Sequence, residues 1–187
     1  MAWLVRNVCA VIARILGWTF EGNIPEDLDK CVIIVAPHTS AWDFIIGMAA
    51  LVHYDFEISY FAKEELFKWP FAGIFRSTGG IPIDRFQAND IVDHTVSYFQ
   101  KKKRLRLALS PEGTRARTEK WRTGFYQIAS KAKVPIVLGA IDFSKRKTFI
   151  SAPYRLTGNK EKDYKVITEF FEPITAHTPK NWNPTIK

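Results

Sequence analysis

Pro37-His38-Thr39-Ser40-Ala41-Trp42-Asp43-Phe44 follows directly on the apolar run 31–36, Cys-Val-Ile-Ile-Val-Ala. A run this short and this rich in Val and Ile reads as a buried strand, and the hydrophobic stretch from about Ala41 onward reads as a helix. The octapeptide is then a strand-to-helix turn, with His38 at the end of the strand and Asp43 in the first turn of the helix. In α/β proteins, chemistry gathers at junctions of this kind.

The spacing constrains what the two residues can do. Positions five apart on one helix lie roughly 140° apart around its axis and do not meet. If His38 stays in the loop, the Asp43 carboxylate can reach back to one ring nitrogen and leave the other free as a base. A second reading fits the same residues. Ser40 and Asp43 match a capping box, in which Ser40 accepts from a first-turn amide while Asp43 bonds back and complements the helix dipole. On local pattern alone, capping is favoured for Asp43, and a lone loop histidine is more often structural than catalytic.

Working outward, residues 3–20 read as an amphipathic helix with Arg6, Asn7 and Arg14 on its polar side, lying on a membrane or packing on the core. Residues 21–30 read as a loop, 56–62 as a strand and 63–67 as a helical turn before Pro70. The aromatic run 66–75 suits either core or contact with acyl chains and a membrane surface. Gly79-Gly80-Ile81-Pro82-Ile83-Asp84-Arg85 forms a short strand in which paired glycines allow close backbone approach. Arg85 then either grips a phosphate through its planar fork or pairs with Asp84. Residues 86–100 read as a helix capped by Asn89 or Asp90, closed by the basic run 101–104, which complements the dipole or touches anionic lipid. Strand 105–109 feeds the turn Ser110-Pro111-Glu112-Gly113-Thr114-Arg115. A helix at 121–133, strands at 134–141 and 148–152 and a helix at 161–171 complete the pattern, and 178–187 carries no recognisable motif. Strands alternating with helices predict an α/β fold, a single layered domain over 1–187 with a central mostly parallel or mixed sheet flanked by helices.

Composition narrows the function classes. With 187 residues, 47% of them hydrophobic, the chain can bury one sizeable core. Its 27 Lys and Arg against 19 Asp and Glu leave +8, which favours a phosphate-bearing substrate, an anionic lipid surface or nucleic acid. Nucleic acid is set aside, because the basic residues do not interleave with aromatics in any RNA-binding pattern. Cys9 and Cys31 sit in apolar surroundings without metal-ligand spacing, so they read as buried thiols of a reducing compartment, and no metal site is expected. The longest apolar candidate, 31–54, is interrupted by His38 and Asp43, and the N-terminal run is broken by Arg14 with no small-residue cleavage site. Neither a spanning helix nor a secretory signal is expected.

Four segments in order resemble the glycerolipid acyltransferase family typified by bacterial 1-acylglycerol-3-phosphate acyltransferases. They are His38-Thr39-Ser40-Ala41-Trp42-Asp43, Gly79 to Arg85, Pro111-Glu112-Gly113-Thr114-Arg115 and Val134-Pro135-Ile136-Val137, with Ala62-Lys63-Glu64-Glu65-Leu66 also family-like between the first two. A His-x4-Asp pattern alone is weak, whereas Pro-Glu-Gly-Thr-Arg is specific and four ordered motifs over about 32–140 are strong. Ser110 stands where the family commonly has an aromatic, a departure that bears on lipid selectivity rather than chemistry.

The resemblance implies acyl transfer from a thioester of coenzyme A or acyl carrier protein to the hydroxyl of a lysophospholipid, with the thioester as co-substrate and no cofactor. It implies His38 as base and Asp43 as its partner, with Arg85, Glu112, Gly113, Thr114 and Arg115 binding the acceptor and its phosphate; read in isolation, Glu112 equally fits orienting Arg115 or capping a turn. Backbone amides at Gly79, Gly80 and Gly113 are candidate oxyanion donors. The implied acceptor is 1-acylglycerol-3-phosphate, with another lysolipid such as lyso-ornithine lipid as an alternative. The implied setting is peripheral, on an anionic membrane surface at the cytoplasmic face, with residues 1–20 as a membrane-surface helix. Two rivals use the same residues differently: a basic membrane-binding module without catalysis, and a thioesterase in which His38 activates water.

Overall fold

The computed structural model describes residues 2–83 and 88–186, with side chains described for 3–82 and 91–186. Along strand β2 (Lys30–Ala36) successive side chains point to opposite faces, and both sets are apolar, so the strand is stable only between two layers. Val32, Ile34 and Ala36 pack with Phe99, Phe125 and Phe171 in the largest core cluster. Cys31 and Ile33 face the other way, against Phe56 and Val137.

In chain order the elements are α1 (Ala2–Ile15), β1 (Thr19–Glu21), β2, α2 (Trp42–His53), β3 (Ser59–Lys63), α3 (Ala72–Ser77), β4 (Gly80–Ile83), α4 (Ala88–Lys101), β5 (Leu105–Leu109), α5 (Gly124–Ala132), β6 (Ile136–Asp142), β7 (Lys147–Ile150) and α6 (Lys160–Phe171). The strands form one seven-stranded sheet in the order β1-β7-β6-β2-β5-β3-β4. From β6 to β4 neighbouring strands are parallel, and β7 turns back antiparallel to β6. Residues of α4, α5 and α6 share one core cluster on one face, while α1 and α2 share another. The expected α/β layering with a mixed sheet is therefore the fold of this chain.

Several boundaries differ from their sequence readings, for reasons of tertiary pairing. The helix read over 3–20 stops at Ile15, because Thr19, Phe20 and Glu21 pair as β1 with Lys147, Thr148 and Phe149. The helix read from 121 starts at Gly124, because the Arg122 amide donates to the Pro111 carbonyl at 2.8 Å and keeps that stretch in the loop. Asn89 and Asp90 fall inside α4 rather than ahead of it. The aromatic run 66–75 contains the short helix α3 and divides its side chains: Phe67 is buried, Phe75 packs on Phe67 and Phe44, and Trp69 and Phe71 are exposed.

Helix α1 both packs and stays open. Val5, Cys9 and Ala13 seat on the α2 layer, while Leu4, Val8, Val11 and Ile15, at helical spacing, are exposed together with Trp3. Among the described residues no helix is long and apolar enough to cross a membrane. Both cysteines are free and buried, and burial pushes the Cys31 thiol up to about 12, so it is inert as a nucleophile at neutral pH.

Asp163 in α6 anchors the layer opposite α1 and α2. Its carboxylate is fully buried and accepts from the Tyr154 hydroxyl at 2.7 Å, the Tyr126 hydroxyl at 2.9 Å and the Thr157 hydroxyl at 2.8 Å. Burial raises the pKa of this carboxyl, but the hydroxyl and amide donors outweigh it and hold the group below the ordinary carboxylate range. A depressed carboxyl contributes stability that is complete above its unfolded pKa of about 3.9 and is lost as pH falls through the lower folded value. Asp163→Asn is expected to lose about 2–4 kcal/mol at neutral pH, since one amide cannot accept from all these donors. Urea unfolding should show the gap to wild type closing on acidification below pH about 4; a gap independent of pH would refute the charge argument.

Candidate active site

β2 and β5 lie side by side and run the same way, yet the chain leaves them in opposite directions, from β2 through α2 to β3 and from β5 through α5 to β6. Such divergence opens a crevice beyond the carboxyl ends of the two strands. The register Ile34↔Leu109 places the residues just past Ala36 beside those just past Leu109. The His38 loop and the Pro-Glu-Gly-Thr-Arg turn are adjacent for this reason.

Their contact is a hydrogen bond from the His38 amide to Glu112 Oε1 at 2.9 Å. Glu112 Oε2 accepts from the Ser110 hydroxyl at 2.7 Å, so both carboxylate oxygens are engaged. Glu112 is only 4% exposed, and burial pushes its carboxyl above the ordinary range despite the His38 and Ser110 donors. Its position corrects the expectation that it faces an acceptor: Glu112 braces the backbone that carries His38. Ser110, the departure from the family pattern, supplies part of that brace.

Asp43 lies within reach of both the helix entry and the His38 ring. The chain enters α2 at Trp42, and Asp43 Oδ2 accepts from the amides of Thr39 and Ser40, each at 2.7 Å, while Ser40 Oγ accepts from the Trp42 amide at 3.2 Å. Both bonds of the reciprocal pair read from the sequence are present, set one residue ahead of the helix N-cap, which is Ala41 and has no side-chain cap of its own. The same Oδ2 lies 3.5 Å from His38 Nδ1. The Asp43 side chain is 3% exposed and the His38 side chain 31%, so a buried carboxylate faces a ring that is open to the crevice. An Nδ1–H directed at Oδ2 leaves Nε2 as the accepting nitrogen. Capping and pairing coexist because one oxygen serves two amides and the ring, and Asp43 Oδ1 has no hydrogen-bond partner among the described residues.

The remaining residues of the third motif lie on the open side. Gly113 has φ +65, a left-handed conformation that favours glycine, and a Cβ there would lie 2.9 Å from Arg122 Nε. Thr114 and Arg115 are exposed; Thr114 Oγ1 accepts from the Ala116 amide at 3.2 Å, and the Arg115 guanidinium has no ion pair among the described residues. Arg122, also exposed, stacks over Gly113. No pattern in the sequence marks it, because it meets the motif only through the fold.

Gly79 and Gly80 require a correction. Register aligns Gly80 with Tyr60, Tyr60 with Ala108 and Ala108 with Ile33, so the glycines sit at the level of Ile33. His38 is five residues further along, about 16 Å at strand rise. The Gly79 amide donates to the Arg76 carbonyl, and at φ +99 a Cβ would lie 2.0 Å from the Ile58 carbonyl oxygen. These glycines let β4 pack against its neighbours, at a register level below the His38 loop. Arg85 lies outside the described residues. The segment read as motif-free proves to be part of the site's frame, since the Thr178 amide donates to Thr39 Oγ1 at 3.2 Å.

A groove of about 530 Å3 along α6 is lined by none of these residues. Among the described residues there is no cluster of His, Cys, Asp and Glu that could hold a metal ion.

A family model described as Acyltransferase matches residues 18–141, a span that includes every element of the crevice except the Thr178 segment. No curated protein matches the chain. Among solved structures, the crystal structure of the 1-acyl-sn-glycerophosphate (LPA) acyltransferase PlsC from Thermotoga maritima is similar in fold, with TM-score 0.65 and 20% identity over 92% of this chain and 78% of that one.

Proposed function

Because this chain belongs to the Acyltransferase family, we propose that it moves a fatty acyl group from an acyl thioester, of coenzyme A or acyl carrier protein, to the hydroxyl of a lysophospholipid, 1-acylglycerol-3-phosphate foremost. The observation that carries this reading is the His38 ring open to the crevice, with Asp43 Oδ2 3.5 Å behind it. In the step proposed, His38 Nε2 takes the proton of the acceptor hydroxyl as its oxygen bonds to the thioester carbonyl carbon. The carbon–sulfur bond breaks, and the leaving thiolate takes the proton back from the imidazolium. Asp43 holds the tautomer and stabilises the imidazolium, as the acid does in a Ser-His-Asp triad, with the acceptor's own hydroxyl in the place of the serine. The 3.5 Å contact is long for a hydrogen bond, as catalytic contacts often are before substrate binds. Since Cys31 is inert and neither cysteine lies in the crevice loops, no cysteine acyl-enzyme is invoked.

Arg85 and Arg115 are proposed to hold the acceptor's phosphate, because a planar guanidinium matches it in bidentate fashion. Gly113 and Thr114 shape the turn that presents Arg115. The exposed apolar stripe of α1, with Trp3, Trp69 and Phe71 also exposed, supports peripheral binding to an anionic membrane surface, which for this chemistry would be the cytoplasmic face.

The test is an assay of the purified chain with acyl-CoA and acyl carrier protein donors against lysophosphatidate, other lysophospholipids and lyso-ornithine lipid, presented in anionic vesicles and read by mass spectrometry. Acylated lipid is the expected product. Free fatty acid alone would make the protein a thioesterase. Vesicle binding without thioester consumption would make it a membrane-binding module, and activity without sedimentation on vesicles would remove the membrane surface.

A further inference from the structure

The loop that carries the acceptor motif, from Gly113 to Lys120, forms no regular structure, and its own backbone ties are few. Most of its described hydrogen bonds run instead to one distant segment. Asn181 Nδ2 donates to the Arg115 carbonyl at 3.0 Å. Arg117 Nη1 donates to the carbonyls of Lys180 and Trp182, at 3.3 Å and 3.0 Å. Asn183 Nδ2 donates to the carbonyls of Thr118 and Glu119, at 3.2 Å and 3.3 Å, and Trp121 Nε1 closes the far end on the Asn183 carbonyl at 2.8 Å.

The same segment reaches the other half of the crevice. The Thr178 amide donates to Thr39 Oγ1 at 3.2 Å, and the amide of that threonine donates to Asp43 Oδ2 at 2.7 Å. Thr39 is buried, so its hydroxyl has little access to water as a substitute partner. Just upstream, the Phe143 amide donates to the Thr175 carbonyl at 2.9 Å and the His177 ring packs edge-on against Phe143, which fixes the segment to the end of β6.

We infer that residues 175–183 form a positioning strap that sets the His38–Asp43 pair and the Arg115 loop relative to each other, with Thr39 and Asn181 as its two working contacts. This rests on the acyl-transfer reading of the crevice. The strap touches no reacting atom. It acts because a misplacement of about 1 Å can cost on the order of 100-fold in rate, and because a loop that samples several conformations binds its ligand only from the competent one.

The two contacts have different kinetic signatures. Asn181→Ala frees the Arg115 loop and is expected to raise the acceptor KM about 5- to 10-fold with kcat within about twofold. Asn183→Ala, which cuts the ties to Thr118 and Glu119, should repeat the effect and serves if the first variant does not fold. Thr39→Val keeps the shape but loses the acceptor for Thr178, and is expected to lower kcat about tenfold with KM within about twofold. Thr39→Ser retains the hydroxyl and should restore kcat. If KM in the first pair and kcat in Thr39→Val equal wild type, whatever happens to Tm, the strap is structural only and the inference is overturned.

Hydrogen–deuterium exchange gives a readout independent of turnover. In Asn181→Ala, the hydrogen-bonded amides of Gly113 and Ala116 should exchange at least about tenfold faster while those of β6 stay protected. Unchanged exchange overturns the strap even in an active enzyme. A wild-type chain with no turnover on any acceptor, but with that exchange response, refutes the acyl-transfer reading and leaves the tie itself supported.

Discussion

His38→Ala is expected to lower kcat by about 10^3- to 10^4-fold, the upper part of the range for loss of a positioned general base, with acceptor and donor KM little changed. The base is engaged only as the hydroxyl proton moves, so its removal acts on the transition state rather than on ground-state binding. Stability should change by less than about 1 kcal/mol, since the ring is part-exposed and its contact with Asp43 is 3.5 Å long. The backbone contact to Glu112 survives the substitution, because it is made by the His38 amide and not by the ring. Steady-state kinetics with thermal unfolding of the same preparation decides the matter. A folded variant within tenfold of wild type would remove His38 as the base and with it the mechanism.

Asp43→Asn should cost about 10^2 to 10^3 in kcat while the protein stays folded. The amide oxygen of the introduced asparagine can still accept from the backbone N–H groups of Thr39 and Ser40, so the helix entry is kept. What is lost is the charge facing Nδ1 and the acceptor that selects the Nε2-basic tautomer; an amide NH2 turned to the ring would select the wrong one. Asp43→Ala separates the two roles from the other side, since it also loses the cap and should lower stability by about 1–2 kcal/mol. A fully active Asp43→Asn enzyme would leave Asp43 as a cap and nothing more. The two variants are informative together because one oxygen accepts from the Thr39 and Ser40 amides and also faces the His38 ring, so under the proposed mechanism activity and stability respond differently to loss of charge and loss of acceptor.

Much of the site is legible without coordinates, and the reason is locality. The turn from β2 into α2 is encoded in consecutive residues: an apolar run buried on both faces, a proline and polar break, a serine and an aspartate at capping distance. The Pro-Glu-Gly-Thr-Arg turn is equally legible, and its glycine proves to be where φ is positive. Local reading fails where partners are far apart in sequence. Phe20 reads as helix because its pairing with Thr148 is invisible locally. Gly79 and Gly80 are read only as possible oxyanion donors because paired glycines leave backbone amides open, and parallel register then puts them below His38. Glu112 is placed with the acceptor by resemblance alone, the local residues leaving it equally free to orient Arg115 or cap a turn, and only the fold turns it inward onto the His38 amide.

The sequence by itself determined the α/β layering, the His38-to-Asp43 junction, the Ser40–Asp43 pair that shapes it and the Pro-Glu-Gly-Thr-Arg turn, because each depends on side-chain periodicity or on contacts a few residues apart. Only the tertiary structure decided that Glu112 braces His38 across 74 positions and that Thr178 reaches Thr39 across 139. Both contacts use a backbone amide as donor. Every residue except proline carries that group, so no side-chain pattern can announce it, and only the folded chain selects which amide meets which oxygen.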